Sequence, residues 1–206
     1  MPRLTAIRKQ ALDEMMKNAL FEASVAVLSE HGAEGMTMDR VALAASMAKG
    51  SLYRYFRSKQ ELLEFIHAKL VDPIFVELDG LEAKDLPALE KLSGQLRSML
   101  EHVARHAQVH RLLFEDDAAL KLLHSSKRRT IQAASQRLAG VFRQGIAEGV
   151  FRSADPQLLA NMYLGVCRAV LHSQPDLSGP EQREAVYLLI LGTFLHGIAT
   201  DAGRVI

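Results

Sequence analysis

Between Thr37 and Lys59 the chain has room for two short helices around one tight turn, and for little else. Thr37 is a good N-cap, since its hydroxyl can accept from the N–H groups that a first turn leaves open. A short helix is expected from Asp39 to Ala45, with Val41 and Ala42 facing inward. Ser46 and Met47 make the turn, and a third helix is expected from about Ala48 to Phe56. Ser58 then opens a fourth helix: "SKQE" is a capping box, with Glu61 three residues on. Leu62, Leu63, Ile66 and Leu70 line that helix. Two short helices locked this way form a helix-turn-helix, whose second helix is free to meet a partner.

The third helix is decorated for such a meeting. "SMAKGSLYRYFRSK", Ser46 to Lys59, holds two tyrosines, a phenylalanine and four basic residues, with no acid. At 100° per residue Leu52 and Phe56 fall together and face the core with Val41, while Gly50, Ser51 and Arg54 point away. Lys49, Tyr53, Tyr55 and Arg57 lie on the flanks. The outward face thus offers one residue without a side chain, one hydroxyl and one guanidinium. That suits a helix in the DNA major groove: the glycine lets the backbone approach, the arginine reaches guanine acceptors, and the flanking donors hold phosphates. The charge distribution agrees. Residues 1–60 carry nine Lys/Arg against six Asp/Glu, a net +3, on a chain whose whole net charge is +1. A local basic patch on a near-neutral chain points to one anionic partner at one face.

The ordered set "GAEGMTMDRVALAASMAKGSLYRYFRSKQELL" resembles the tetracycline-repressor (TetR) family of bacterial transcription regulators, over about Leu20 to Ile66. The resemblance includes Gly32 after helix one, Thr37, the Val41–Ala42 pair, "KGSLYRYF" and "SKQELL". It implies that Thr37, Lys49, Gly50, Ser51, Tyr53, Arg54, Tyr55 and Lys59 lie at a double-stranded DNA surface, with Tyr53 and Lys59 as phosphate anchors and Lys49, Gly50 and Arg54 nearest the bases. It implies a repressor that binds as a dimer and answers to a ligand. Three positions depart from the family pattern: Ser46 stands where Gly is usual, Met47 where Val is usual, and Ala48 where a Ser or Thr cap is usual. A missing cap costs about 0.5–2 kcal/mol. Ser46 must either take the left-handed conformation or reshape the turn.

The rest of the chain also reads as helix. Ala, Leu, Arg and Glu are abundant, and neither Asn-Gly nor Asp-Gly separates alternating segments, so an all-α fold of about nine helices is expected. Residues 1 to about 15 read as a loose arm before a first helix from about Met16 to His31, stopped by Gly32. "DP" at 72–73 is expected to end or kink helix four. Later helices are expected at Leu86–Ala104, His106–Phe114, Asp117–Glu148, Pro156–Ser173 and Pro180–Thr200. Residues 1–60 are assigned to DNA binding, 58–71 to a connecting helix, and 72–206 to ligand binding and dimerisation. The one cysteine, Cys167, cannot form an internal disulfide, which favours a reducing cytoplasm. The most apolar run, Ala185 to Ala199, is shorter than the roughly 20 residues a membrane span needs.

For the second region the reading rests mostly on physics. "AVYLLILGTFLHGIA" is apolar nearly all round and should be covered on two sides. Gly165 and Ala169, one turn apart, permit close helix approach. The resemblance puts a four-helix dimer interface on the last two helices, and Gly165, Ala169, Leu188, Leu191 and Leu195 are the residues expected there. Met99, Val103, His106, Leu113, Phe114, Phe142, Met162 and Tyr163 are candidates to line a small-molecule pocket, mostly apolar with a few polar handles. His102, His106 and His110 recur every four residues, but no Cys is near and no HExxH occurs, so no metal or other cofactor is assigned. No nucleophile elbow, P-loop or dinucleotide fingerprint supports an enzyme. Two readings remain: a ligand-responsive repressor, or an architectural DNA-binding regulator with a filled core.

Overall fold

The computed structural model describes residues 2–115, 117–173 and 176–198, with side chains described over 8–113, 117–173 and 176–197. Across the described residues run nine α-helices and no strand: α1 (Pro2–Gly35), α2 (Met38–Ala44), α3 (Lys49–Tyr55), α4 (Lys59–Glu82), α5 (Ala88–Arg105), α6 (Ala107–Glu115), α7 (Asp117–Ala147), α8 (Pro156–His172) and α9 (Pro180–Ile198). The all-α expectation holds, and the caps fall where the residues place them. Asp155 accepts from Gln157 N at 2.8 Å and Leu158 N at 3.4 Å, with Pro156 in the first turn of α8. The break near His106 is where α5 ends and α6 begins.

Two expectations are corrected. The stretch read as a loose arm is helical from Pro2 onward. Its described side chains, from Arg8 on, form no buried face, but no breaker interrupts it, and Asp13 pairs with Lys17 one turn on at 2.8 Å. The expected stop is present: Gly32 has φ 67° and ψ 177°, so the helix breaks there and resumes briefly to Gly35. The second correction is α4, which runs through Pro73 to Glu82 instead of ending at about Val71. A proline inside a helix removes one hydrogen bond but need not end it when contacts further on hold the next turns. Here Arg137 of α7 binds the Asp79 carboxylate, Nε to Oδ1 at 2.7 Å, and stacks over the Phe75 ring at 4.6 Å.

The chain forms two compact units. The first is Met1–Leu70 with Gln108–Ser126, the second Val71–Ala107 with Lys127–Ile206. In the first, Leu20, Leu28, Val41, Leu52, Leu62, Leu63 and Ile66 are fully buried, and Val109, Leu113, Ala119 and Leu123 from α6 and the start of α7 join the same core. The three N-terminal helices therefore have a backing that composition alone does not show.

The second unit packs α5, α7, α8 and α9 around an aromatic centre. The Phe142 ring lies 5.5 Å from Phe151, 6.1 Å from Tyr163 and 5.6 Å from Phe194, all inclined rather than stacked. Gly145 makes room for this: a Cβ there would stand 2.2 Å from the Phe151 ring. At the rim, Arg97 of α5 binds the Glu184 carboxylate with two nitrogens and lies 3.7 Å from the centroid of Tyr187, whose hydroxyl meets Ser93 Oγ at 2.7 Å. These contacts tie α5 to α9.

Candidate functional site

The helix-turn-helix is built from backbone caps and two buried side chains. Thr37 Oγ1 accepts from Arg40 N at 3.2 Å and opens α2, as its chemistry predicts. The Arg40 guanidinium reaches back to the Gly35 carbonyl and closes the turn after α1. After α2, Ser46 takes φ 52°, the left-handed conformation usually left to glycine. Met47 N then bonds Ala42 O at 2.9 Å and completes the turn. Ala48 starts α3 with extended backbone and no side-chain cap. Leu52 and Phe56 anchor α3 in the core, and Ser58 Oγ accepts from Glu61 N at 3.2 Å to start α4.

That anchoring sets what faces out. Lys49, Gly50, Tyr53 and Arg54 are exposed, and Ser51 and Tyr55 are half-buried. Arg54 Nη2 donates to Ser51 Oγ at 3.1 Å, which aligns the hydroxyl and guanidinium along one edge. A Cβ added at Gly50 meets nothing within 4 Å, so nothing inside this chain requires a glycine there. Lys59 Nζ donates to Glu34 O at 3.1 Å, which leaves two of its three donors for another partner. The structure thus brings Lys49, Gly50, Ser51, Tyr53 and Arg54 to the surface of α3, while Tyr55 packs partly against the core, Thr37 caps α2 and Lys59 is the first residue of α4.

Sequence reasoning missed Asp39. Its carboxylate holds the Lys49 ammonium, Oδ1 at 2.7 Å, and this hydrogen bond raises the lysine above its ordinary range. An acid ten residues before a lysine carries no helical-spacing signal, because the pair meets only across the turn.

The candidate pocket residues do not form one group. Val103, Phe142 and Tyr163 are buried in the core of the second unit, and Met99 packs against it. Leu113 is in the core of the first unit, and Met162 is 50% exposed, so neither lines that interior. The side chain of Phe114 lies outside the described residues. The rings of His102 and His106 stand 5.3 Å apart, and His110 falls in the first unit. Among the described residues no three His, Cys, Asp or Glu side chains gather as a metal site requires. Burial pushes the Cys167 thiol up to about 12 and the Tyr163 phenol well above its ordinary range.

Of the residues expected at a dimer surface, Gly165, Ala169 and Leu188 are exposed. Leu191 and Leu195 are each only 3% exposed and belong to the core of their own unit, a correction to their expected place. The wheel explains it: positions 187, 190, 191, 194 and 195 share the inward face of α9. Leu158 and Met162 on α8, and Leu188 and Leu189 on α9, are large apolar side chains left at the surface. Among the described residues no helix is long and apolar enough to cross a membrane.

Comparison with known proteins places both regions. Residues 20–66 match the family described as bacterial regulatory proteins, tetR family, and residues 85–172 match the tetracyclin repressor-like C-terminal domain. The chain is 30% identical over 148 residues to the HTH-type transcriptional repressor SCO4008 of Streptomyces coelicolor, covering 69% of this chain and 71% of that protein. It is 25% identical over 189 residues to the uncharacterized HTH-type transcriptional regulator YhgD of Bacillus subtilis, covering 90% and 97%. Its fold is similar to that of SmeT of Stenotrophomonas maltophilia solved as a triclosan complex, with a TM-score of 0.77, 20% identity and coverage of 93% and 95%.

Proposed function

The chain belongs to the TetR family of bacterial transcriptional regulators, and we propose that it is a repressor that reads a palindromic operator through α3 as a homodimer and leaves it when a small apolar or amphipathic effector binds. The observation that carries this reading is the outward face of α3. Gly50 stands there in open space between Lys49 and Arg54, in the first turn of a helix that alanine would favour more. A partner that needs the backbone close accounts for it, and a DNA major groove is such a partner. In this assignment Arg54 reads a base edge, aligned by Ser51. Lys49 exchanges Asp39 for the DNA. Tyr53, Tyr55 and Lys59 hold phosphates, and Thr37 positions the first turn of α2.

We assign effector binding and dimerisation to the second region. Leu158, Met162, Gly165 and Ala169 recur at helical spacing on the exposed face of α8, and Leu188 and Leu189 lie exposed on α9. A second copy of the chain covers such a pair of faces with two-fold symmetry. SmeT, which shares the fold, was solved with triclosan, a small and largely apolar molecule, and that supports an effector of this kind. Work on chromosomal DNA places the protein in the cytoplasm.

The test is electrostatic first. Affinity for a duplex should fall steeply with salt, with a log–log slope of about −0.9 per phosphate contact. Lys59→Ala should weaken all sequences alike and flatten that slope. An affinity insensitive to salt would overturn the phosphate contacts. The effector half of the reading is tested by a small-molecule screen for release of bound duplex. A hundredfold release requires about 2.7 kcal/mol of coupling, and bound DNA must weaken effector binding by the same factor.

A further inference from the structure

Into the apolar core of the second unit α5 sends a polar side chain that finds no partner there. Gln95 is 4% exposed, and neither its amide oxygen nor its amide nitrogen makes a hydrogen bond. On α8 the phenol of Tyr163 is 3% exposed, and its Oη makes no hydrogen bond of ordinary geometry, the Cys167 thiol being its polar neighbour. Buried polar atoms are nearly always paired, and an open one is a penalty that a fold does not keep without reason. Two other buried polar side chains of this unit, Lys91 and Ser135, follow the rule. Lys91 donates to Glu82 O and Gln144 Oε1, each at 3.1 Å, and Ser135 donates to Asn161. Met99, one turn from Gln95, packs against the same core and supplies deformable apolar surface.

We propose that Gln95 and Tyr163 are the hydrogen-bonding contacts of the effector site, and that the effector is an uncharged, largely apolar molecule presenting a carbonyl, amide or hydroxyl group. This rests on the effector-responsive reading above and narrows it. An amide offers donors and an acceptor, and a phenol offers one of each, so together they match a neutral polar group of either kind. Neither neutralises a formal charge. Neither of these two groups would give a carboxylate or ammonium a counter-ion in exchange for its lost hydration. Lys91, the one Lys, Arg, Asp or Glu buried among the described residues, is already committed to two oxygens.

The inference makes a prediction that needs no ligand. Gln95→Met keeps the length of the side chain and removes the open amide, so the ligand-free variant should melt above the wild type, by about 2–4 °C. The full-length wild type, Gln95→Met and Tyr163→Phe are then titrated with four matched ten-carbon probes: decanamide, decanol, decanoate and decylamine. The wild type should be stabilised by decanamide or decanol and not by the charged pair. By calorimetry, both variants should bind the neutral probe about tenfold more weakly or worse. A lower melting point for Gln95→Met would show that the amide is satisfied in solution, by an internal water or a protein group, and would overturn the proposal. So would binding of decanoate or decylamine as tight as that of the neutral probes, the failure of both neutral probes to stabilise the wild type, or undiminished binding by the variants. The effector-responsive reading fails on different grounds: it falls if no compound in a wider screen, charged or neutral, releases bound duplex from the wild type.

Discussion

A glycine inside a helix weakens it unless something needs the space, and Gly50 and Gly145 divide on that point. A Cβ at Gly145 would stand 2.2 Å from the Phe151 ring, so the need is internal. Gly145→Ala should lower stability by about 1–3 kcal/mol, the cost of overpacking a filled core, measured by denaturant unfolding. At Gly50 nothing lies within 4 Å. Gly50→Ala should therefore raise stability, by less than the ~1 kcal/mol of a helix interior because Gly50 lies in the first turn, while weakening operator binding about tenfold. Equal binding by the stabilised variant would remove the argument from close approach. The orientation of the α3 residues was legible in the sequence because it follows from local spacing. Leu52 and Phe56 had to face in, so Gly50 and Arg54 had to face out. Asp39 and Gln95 were not legible, because the first acts across a turn. The second, set among Leu92, Leu96 and Met99, looks in sequence like an ordinary polar interruption of an apolar face.

Among the helices, the start of α3 is where the chain departs most from good local chemistry. Ser46 holds a positive φ without being glycine, and Ala48 opens the helix without a cap. Ser46→Gly and Ala48→Ser should each stabilise the fold by about 0.5–1 kcal/mol, raising the melting temperature by about 2–4 °C. If either variant melts lower, the turn is held by something other than its own dihedral angles and caps. Helix ends set by caps were readable: Thr37, Ser58 and Asp155 each accept the bonds their positions promise. Helix ends set by tertiary contact were not. Pro73 is a local stop signal, and α4 passes it because Arg137, 58 residues beyond Asp79, holds Asp79 and Phe75. The N-terminal stretch failed for a related reason. Its helix lacks an apolar stripe, and only the absence of a breaker before Gly32 foretold it.

For the whole molecule the fold class and the outward surface of the helix-turn-helix were readable, while the grouping of the helices was not. That Val109, Leu113, Ala119 and Leu123 back the DNA-binding helices depends on where α6 and α7 return to, which periodicity does not encode. The same limit applied to α9, whose apolar residues had to be divided between core and surface by packing. With Leu191 and Leu195 inside, Leu188 is the side chain that a second copy would cover, and it is 55% exposed. Leu188→Glu should yield a folded monomer by analytical ultracentrifugation, because it leaves the inner face untouched. A wild type that is monomeric at micromolar concentration would rule the dimer out. The central claim is that two copies of α3 read one DNA site, and its most direct measurement is selection from random duplexes with the wild type and Arg54→Ala. The wild type should enrich a palindrome whose half-sites are centred one helical turn apart or a multiple of it, and the variant should lose preference at one position per half-site, a loss of about 1–3 kcal/mol on the enriched site. Enrichment of no sequence, or of the same palindrome unchanged by Arg54→Ala, would contradict it.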